Sequence, residues 1–146
     1  MNDFFPNLLL GHMVGDYLLQ NNWMAMNKSG STLKCAVHCG LYTIAVSIAT
    51  WSVSLAHWQW PLLVFASHFP IDRWSLADKW LHLIRGRALS DFMERGGENI
   101  PFEYPDHRRE NYKMLRAAFG GVVYTAADNT MHLAAMYWGA RLLGWA

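Results

Sequence analysis

The sequence predicts an all-α integral membrane bundle of about four helices, with a polar extramembrane loop or subdomain before the last helix. The chain is 53% hydrophobic and only 16% charged, whereas a typical soluble domain is roughly 25% charged. Residues 35–56 contain no formally charged side chain, and such a run is long enough to cross a bilayer. His and Asp also recur four residues apart within apolar stretches, a spacing that stacks side chains on one helix face.

The first predicted helix covers residues 4–19. It is apolar except for one face with His12 and Asp16, and Pro6 lies in its first turn, where a helix tolerates proline. No basic region or small-residue cleavage site precedes the apolar run, so we expect no cleaved signal peptide. A polar connection, residues 20–33, follows.

The second predicted helix, residues 35–56, is the best candidate for a transmembrane span. Its Thr, Ser and Gly residues suit close packing in lipid, and Trp58 and Trp60 follow its end as in an interfacial aromatic belt. The alternative is a long buried helix of a soluble bundle. A third helix is predicted over residues 62–84, with a kink at Pro70.

Residues 85–113 hold twelve charged side chains whose signs cancel, and we predict an extramembrane loop there. The fourth helical region is residues 114–146, so that residues 1–146 form one helical membrane domain. By the positive-inside rule, the 85–113 loop and the loop with Lys28 and Lys34 face the cytoplasm. The formal net charge of +1 gives no reason to expect sequence-specific nucleic-acid binding.

Ionisable residues inside spanning segments are expected to face the bundle interior and to have a function there. Imidazole and carboxylate groups together suit divalent metals, and helical bundles build metal sites from facing helices. We therefore predict a site for one or two ions, most simply zinc or manganese. The predicted ligands are His12, Asp16, His38, His68, Asp72, Asp128 and His132. The alternatives are internal hydrogen-bonded pairs and, for the lone His38, a satisfied core histidine.

Further residues are expected to assist this metal site. A carboxylate that is not a ligand, Asp72 or Asp128, is the candidate general base. The residues expected to support the ligands from outside the coordination sphere are Gln20, Asp78 and His82. For Asp78 and His82 the alternative is that they belong to a solvated helix face with no role at the site. The residues expected to hold an anionic group at the mouth are Lys28, Arg73 and Arg85.

An ordered set of motifs resembles the DUF3307 family of small bacterial and phage membrane proteins. The motifs are His12-Met-Val-Gly-Asp16-Tyr-Leu-Leu-Gln20, Trp23-Met24, Asn27-Lys28, His38 with Tyr42-Thr43, His68-Phe-Pro-Ile-Asp72 and Asp128-Asn-Thr-Met-His132. The scattered His and Asp residues are also similar to those of predicted membrane-bound metal-dependent hydrolases. This resemblance implies hydrolysis. Asn129, where the family tends to have Gln, and the length of the 85–113 loop depart from the pattern.

The leading hypothesis is thus a multi-pass protein of the bacterial inner membrane that hydrolyses a phosphoester of a lipid or a nucleotide. A non-enzymatic membrane protein is the first alternative, with a structural metal or polar network and a partner-binding loop at residues 85–113. An ion or proton pathway is the second, because intramembrane Asp and His chains also serve as relays. The expected partners are the bilayer, a small anionic or lipid substrate, a protein at the charged loop and, in an oligomer, further copies of the chain.

Overall fold

A computed structural model describes residues 3–25, 27–85 and 106–145, with the side chains of 85, 106–113 and 116 left out. The described residues are helical and include no strand, which confirms the all-α class. The elements, in chain order, are α1 (Phe4–Met13), a π-helical turn (Val14–Leu18), α2 (Asn22–Ala25), α3 (Thr32–Ala49), α4 (Trp51–Ala56), α5 (Trp60–Arg73), α6 (Leu76–Arg85) and α7 (Asp106–Leu142).

The chain forms two compact units. The first consists of Met1–Ser75 with Thr130–Ala146, and the second of Leu76–Asn129. The core of the first unit joins α1, α3, α4, α5 and the last turns of α7. Its buried side chains are Leu8, Tyr42, Val46, Val53, Trp60, Val64, Met136 and Ala140.

Among the described residues, α3 is the helix that is long and apolar enough to cross a membrane. Its eighteen residues extend over about 27 Å at 1.5 Å per residue. Ser31 caps its N-terminus, since the Ser31 side chain accepts a hydrogen bond from the Lys34 amide. The predicted start at residue 35 was therefore about one turn late.

Three of the predicted helices are interrupted. The 4–19 helix changes to a π turn at Val14, and the 35–56 helix breaks at Thr50, whose hydroxyl bonds the Val46 carbonyl. The 62–84 helix continues past Pro70 and ends at Arg73, because Ser75 adopts a positive φ of 47°. These breaks divide the chain into more elements than hydrophobic periodicity alone predicts.

The predicted 85–113 loop falls largely outside the described residues. Its last part, residues 106–113, is helical rather than extended, because α7 begins at Asp106, directly after Pro105. Proline is common next to a helix start. The last helix is thus eight residues longer at its N-terminus than predicted.

Close contact between α1 and α3 depends on two glycines. A Cβ atom on Gly11 would lie 2.8 Å from the Cα atom of Val46, and one on Gly15 would lie 2.6 Å from Cδ2 of Tyr42. These are distances that only a missing side chain permits. The Gly-x-x-x-Gly spacing is the sequence signal for such an approach, and it brings the following π turn against α3.

Candidate metal centre

Four side chains from three parts of the first unit converge on one point. His38 on α3 lies with its Nε2 atom 3.2 Å from Oδ1 of Asp16 in the π turn and 3.1 Å from Oδ2 of Asp72 on α5. His68 Nε2 lies 3.1 Å from the same Asp72 oxygen, 3.6 Å from Asp16 Oδ1 and 3.1 Å from His38 Nε2. All four residues are buried.

These separations match the spacing of ligand atoms around a metal. Zinc binds His nitrogen and carboxylate oxygen at about 2.0–2.1 Å, so that the donors of a regular tetrahedron lie about 3.3–3.4 Å apart. The five separations among the four atoms run from 3.1 to 3.6 Å. Within this set, His38, His68 and Asp72 form a group whose ligand atoms all lie within 4.8 Å of one another, and imidazole nitrogen with carboxylate oxygen suits a divalent ion.

One proton on His38 does not satisfy every contact of this set. An imidazole nitrogen carries at most one proton, and His38 Nε2 faces two carboxylate oxygens and His68 Nε2 within 3.2 Å. Asp16 Oδ1 and both Asp72 oxygens are buried, and the Lys28 ammonium lies 2.9 Å from one of them, Asp72 Oδ1. Buried acceptors that face one another are costly unless a positive charge lies among them.

Two more imidazoles border this set. His132 Nε2 on α7 lies 3.8 Å from Asp72 Oδ1, and His132 also offers a donor atom within 4.8 Å of one from Asp16 and one from His68. His12 Nδ1 lies 3.5 Å from Asp16 Oδ2. The first unit thus brings together six of the seven predicted ligands.

Asp128, the seventh, belongs to the second unit. It is buried and precedes His132 by one turn on α7. Its role as a ligand or base stays a prediction.

The π turn explains how Asp16 reaches the cluster. A π turn adds a residue to the helical repeat and is frequent at functional sites. Here Gly15 packs its backbone against Tyr42, while Asp16 is buried beside His38. The contact of Gly15 with Tyr42 and the extra residue in the π turn therefore place the Asp16 carboxylate beside His38.

Tyr42 is a site residue that the sequence analysis did not assign. Its hydroxyl lies 2.7 Å from His12 Nδ1 and donates to Met136 Sδ, and its ring stacks on His68 with centroids 3.7 Å apart. Tyr42 thus fixes the orientation of two cluster imidazoles. Its position four residues after His38, on the same face of α3, is the signal that identifies it.

The predicted cationic residues have different surroundings. Lys28 Nζ lies 2.9 Å from Asp72 Oδ1, and its side chain is 16% exposed. Arg73 donates to the Thr32 hydroxyl and to the Ser29 carbonyl, so it fastens the turn that carries Lys28. Arg85 ends α6, and its side chain lies outside the described residues.

The predicted supporting residues lie outside the converging set. Gln20 follows the π turn and is half-buried, and its Nε2 has no hydrogen-bond partner among the described residues. Asp78, half-buried, and His82, exposed, lie on α6 in the second unit. His57 stacks on Trp145 instead.

Comparison with known proteins gives the family of the chain. No curated protein and no solved structure matches it. Residues 4–93 match the family described as "Protein of unknown function (DUF3307)". The match includes His12, Asp16, His38, His68 and Asp72, and ends before α7. The chain, matched over more than half its length, belongs to the DUF3307 family.

Proposed function

We propose that this protein is a membrane-embedded, metal-dependent hydrolase of phosphoesters. Two carboxylate oxygens, from Asp16 and Asp72, each lie 3.1–3.6 Å from the Nε2 atoms of both His38 and His68, and this convergence carries the proposal. The residues that would hold the ion are Asp16, His38, His68 and Asp72. Zinc or manganese suits a mixed nitrogen and oxygen set of this kind.

The chemistry follows from the groups around the donors. A bound divalent ion supplies a hydroxide near neutral pH and polarises a phosphoryl oxygen. Asp72 is engaged by two imidazoles and an ammonium group, so we assign the proton-accepting role to Asp128. Lys28 contacts Asp72, so Arg73 and Arg85 remain the residues proposed to bind the anionic substrate.

A surplus of polar groups favours catalysis over a purely structural metal. A closed structural site uses four protein ligands and no more. Here His12, His132 and the Tyr42 hydroxyl lie next to a set that already contains four donors. Groups of this kind orient a substrate or transfer protons, which a staple between helices does not need.

Burial supports the second candidate, a non-enzymatic protein in which the metal fastens the helices. The Asp16 and Asp72 side chains are 6% and 0% exposed, and four protein donors fill a tetrahedral ion completely. Hydrolysis would require a five- or six-coordinate ion or the release of one ligand. The two candidates therefore differ in whether a coordination position opens to substrate.

The surface of α3 supports a membrane location. His38 and Tyr42 face the cluster, whereas the outward face of α3 is aliphatic, with exposed fractions from 37 to 74%, at Leu33, Val37, Leu41, Ile44 and Ile48. A soluble helix normally presents polar residues outward. We extend this to a multi-pass protein of the bacterial inner membrane, with about four spanning regions, the 85–113 loop in the cytoplasm and the metal centre near that side.

Elemental analysis of detergent-purified protein tests the metal, and matched variants test the site. We expect zinc or manganese at one or more ions per chain in the wild type. His68→Ala removes a converging donor and should lose the ion. His57→Ala removes an imidazole that stacks on Trp145 and should retain it.

Hydrolysis of bis-p-nitrophenyl phosphate and of phosphatidic acid in mixed micelles, with and without chelator, separates the two candidates. Chelator-sensitive turnover that is lost in His68→Ala supports the hydrolase. Metal-loaded protein that hydrolyses no phosphoester supports the structural metal. Folded, metal-free wild-type protein contradicts both.

A further inference from the structure

Asp72 presents its two carboxylate oxygens to two different groups. Oδ2 lies 3.1 Å from both His38 Nε2 and His68 Nε2, within the converging donor set. Oδ1 lies 2.9 Å from Lys28 Nζ and 3.8 Å from His132 Nε2. A carboxylate with this double orientation resembles the bridge of a two-metal site, in which the ions are about 3.5–4 Å apart.

An ammonium group, however, already lies at one end of that bridge. The Lys28 side chain is only 16% exposed and reaches the fully buried Asp72 side chain. A second divalent ion on Oδ1 would lie about 2.0–2.2 Å from that oxygen and would compete with the ammonium for the same lone pairs. Two cations at one oxygen in a buried site repel each other strongly.

The turn that carries Lys28 is fastened on both sides. Arg73 donates to the Thr32 hydroxyl and to the Ser29 carbonyl. Lys34 Nζ donates to Asn27 Oδ1 over 2.8 Å. The backbone around Lys28 is therefore held against α3 and α5, and the ammonium group is delivered to Asp72 by the fold.

Charge within the first unit also favours one ion. Asp16 and Asp72 contribute two negative charges, and Lys28 contributes one positive charge. One divalent ion brings this group to a net charge of +1, whereas two ions would bring it to +3. Burying excess charge is expensive, so the ammonium makes a second ion unfavourable.

We propose that the centre is mononuclear and that the Lys28 ammonium occupies the place of a second metal on Asp72 Oδ1. The inference deepens the proposed function, because it requires the metal site but does not require hydrolysis. Lys28 is then a positioning residue that balances the charge of Asp72 and keeps this carboxylate directed at both groups. Removing its charge should convert the centre into a two-metal site, with His132 beside the second ion.

Equilibrium dialysis against Mn²⁺, followed by electron paramagnetic resonance, tests the inference on the full chain in detergent. We expect one Mn²⁺ per wild-type chain and a six-line spectrum of an isolated ion. Lys28→Met should bind two, with the broadened spectrum of an exchange-coupled pair. Lys79→Met is the matched control, because Lys79 is an exposed lysine on α6 in the second unit; it should bind one.

Two Mn²⁺ per wild-type chain, or one in a folded Lys28→Met variant, would overturn the inference. Should Lys28→Met fail to fold, the wild-type stoichiometry and spectrum decide by themselves. An absence of Mn²⁺ and Zn²⁺ from the folded wild type would overturn the proposed function as well. The two failures are therefore distinguishable.

Discussion

Helix α3 borders two buried polar regions, one near each end, and they are built in opposite ways. At its C-terminal end, Trp60 Nε1 donates to the Thr50 hydroxyl over 2.7 Å, and that hydroxyl donates to the Val46 carbonyl over 2.7 Å. Every group in this chain meets a complementary group, without any formal charge. The polarity there serves to pack α4 and α5 against α3.

At the other end of α3, His38 belongs to a cluster in which two imidazole nitrogens and two carboxylate oxygens converge. Its Nε2 lies close to His68 Nε2 and to oxygens of Asp16 and Asp72. The difference between the two regions separates two uses of buried polarity. Groups that stabilise packing alternate donor with acceptor, whereas groups that bind a cation direct their lone pairs at a common point.

The largest effect should come from Asp72→Asn, which preserves shape and removes the charge. The amide loses the anionic oxygen that faces both imidazoles and leaves Lys28 beside a neutral group. We expect the metal affinity to fall by more than about 100-fold, beyond what is typical for groups that only support ligands. Isothermal titration with zinc measures the change.

Asp3→Asn is the matched control, because Asp3 is an exposed carboxylate directly ahead of α1. Its zinc affinity should remain within a factor of about two of the wild type, as for a change that touches no ligand. Equal losses in the two variants would mean that the cluster has no special role in metal binding.

The second effect concerns the close contact between Gly15 in the π turn and Tyr42 on α3, beside the candidate metal centre. A Cβ atom added by Gly15→Ala would lie 2.6 Å from Tyr42 Cδ2 and 3.2 Å from its Cα atom. Overpacking against a backbone should cost about 3 kcal/mol of unfolding free energy. Thermal unfolding followed by circular dichroism should give a lower Tm for this variant.

Gly40→Ala provides the control on α3, since a Cβ atom at Gly40 meets nothing within 4 Å. Alanine in a helix interior is favoured over glycine by about 1 kcal/mol, so its Tm should stay the same or rise. A Gly15→Ala variant as stable as Gly40→Ala would rule out the close approach of the π turn and α3.

The smallest effect is expected at the donor–acceptor chain. Thr50→Val keeps the side-chain shape and leaves the Trp60 indole N–H without its acceptor, at a cost of about 1–2 kcal/mol. Metal content should not change, because the cluster is untouched. The double variant Thr50→Val with Trp60→Phe removes both partners and should recover most of the lost stability, as measured by urea unfolding.

A Thr50→Val variant that lost its metal would contradict the separation of the two polar regions into one for packing and one for metal binding. The two polar regions would then be energetically coupled along α3. If the changes in unfolding free energy caused by Thr50→Val and Asp72→Asn add in the double variant, the two polar regions are independent.

The sequence was most informative where polar groups interrupt apolar helices. The four-residue spacing of His12 with Asp16 and of His68 with Asp72 predicted shared faces, and the fold brings these pairs to His38. Such a pattern is readable because an ionisable group must avoid an apolar surface. Their role as ligands stays a prediction.

Other features depend on contacts between distant residues. Hydrophobic periodicity cannot locate the break at Thr50, which is stabilised by the Trp60 indole, or the end of α5, which depends on the positive φ of Ser75. Lys28 was assigned to substrate at the mouth of the site, yet it contacts Asp72. A side-chain partner 44 residues away in the sequence leaves no local signal.

The donors of the cluster come from distant parts of the chain, and this has a consequence for chain entropy. Asp16 and Asp72 are more than fifty residues apart, and His132 lies a further sixty residues along. Folding closes the loops between Asp16, His38 and Asp72 at a cost in chain entropy, and such a site rarely exists before the chain folds. An ion that binds only the folded chain would stabilise it by mass action, which couples the assembly of the helices to the supply of the ion.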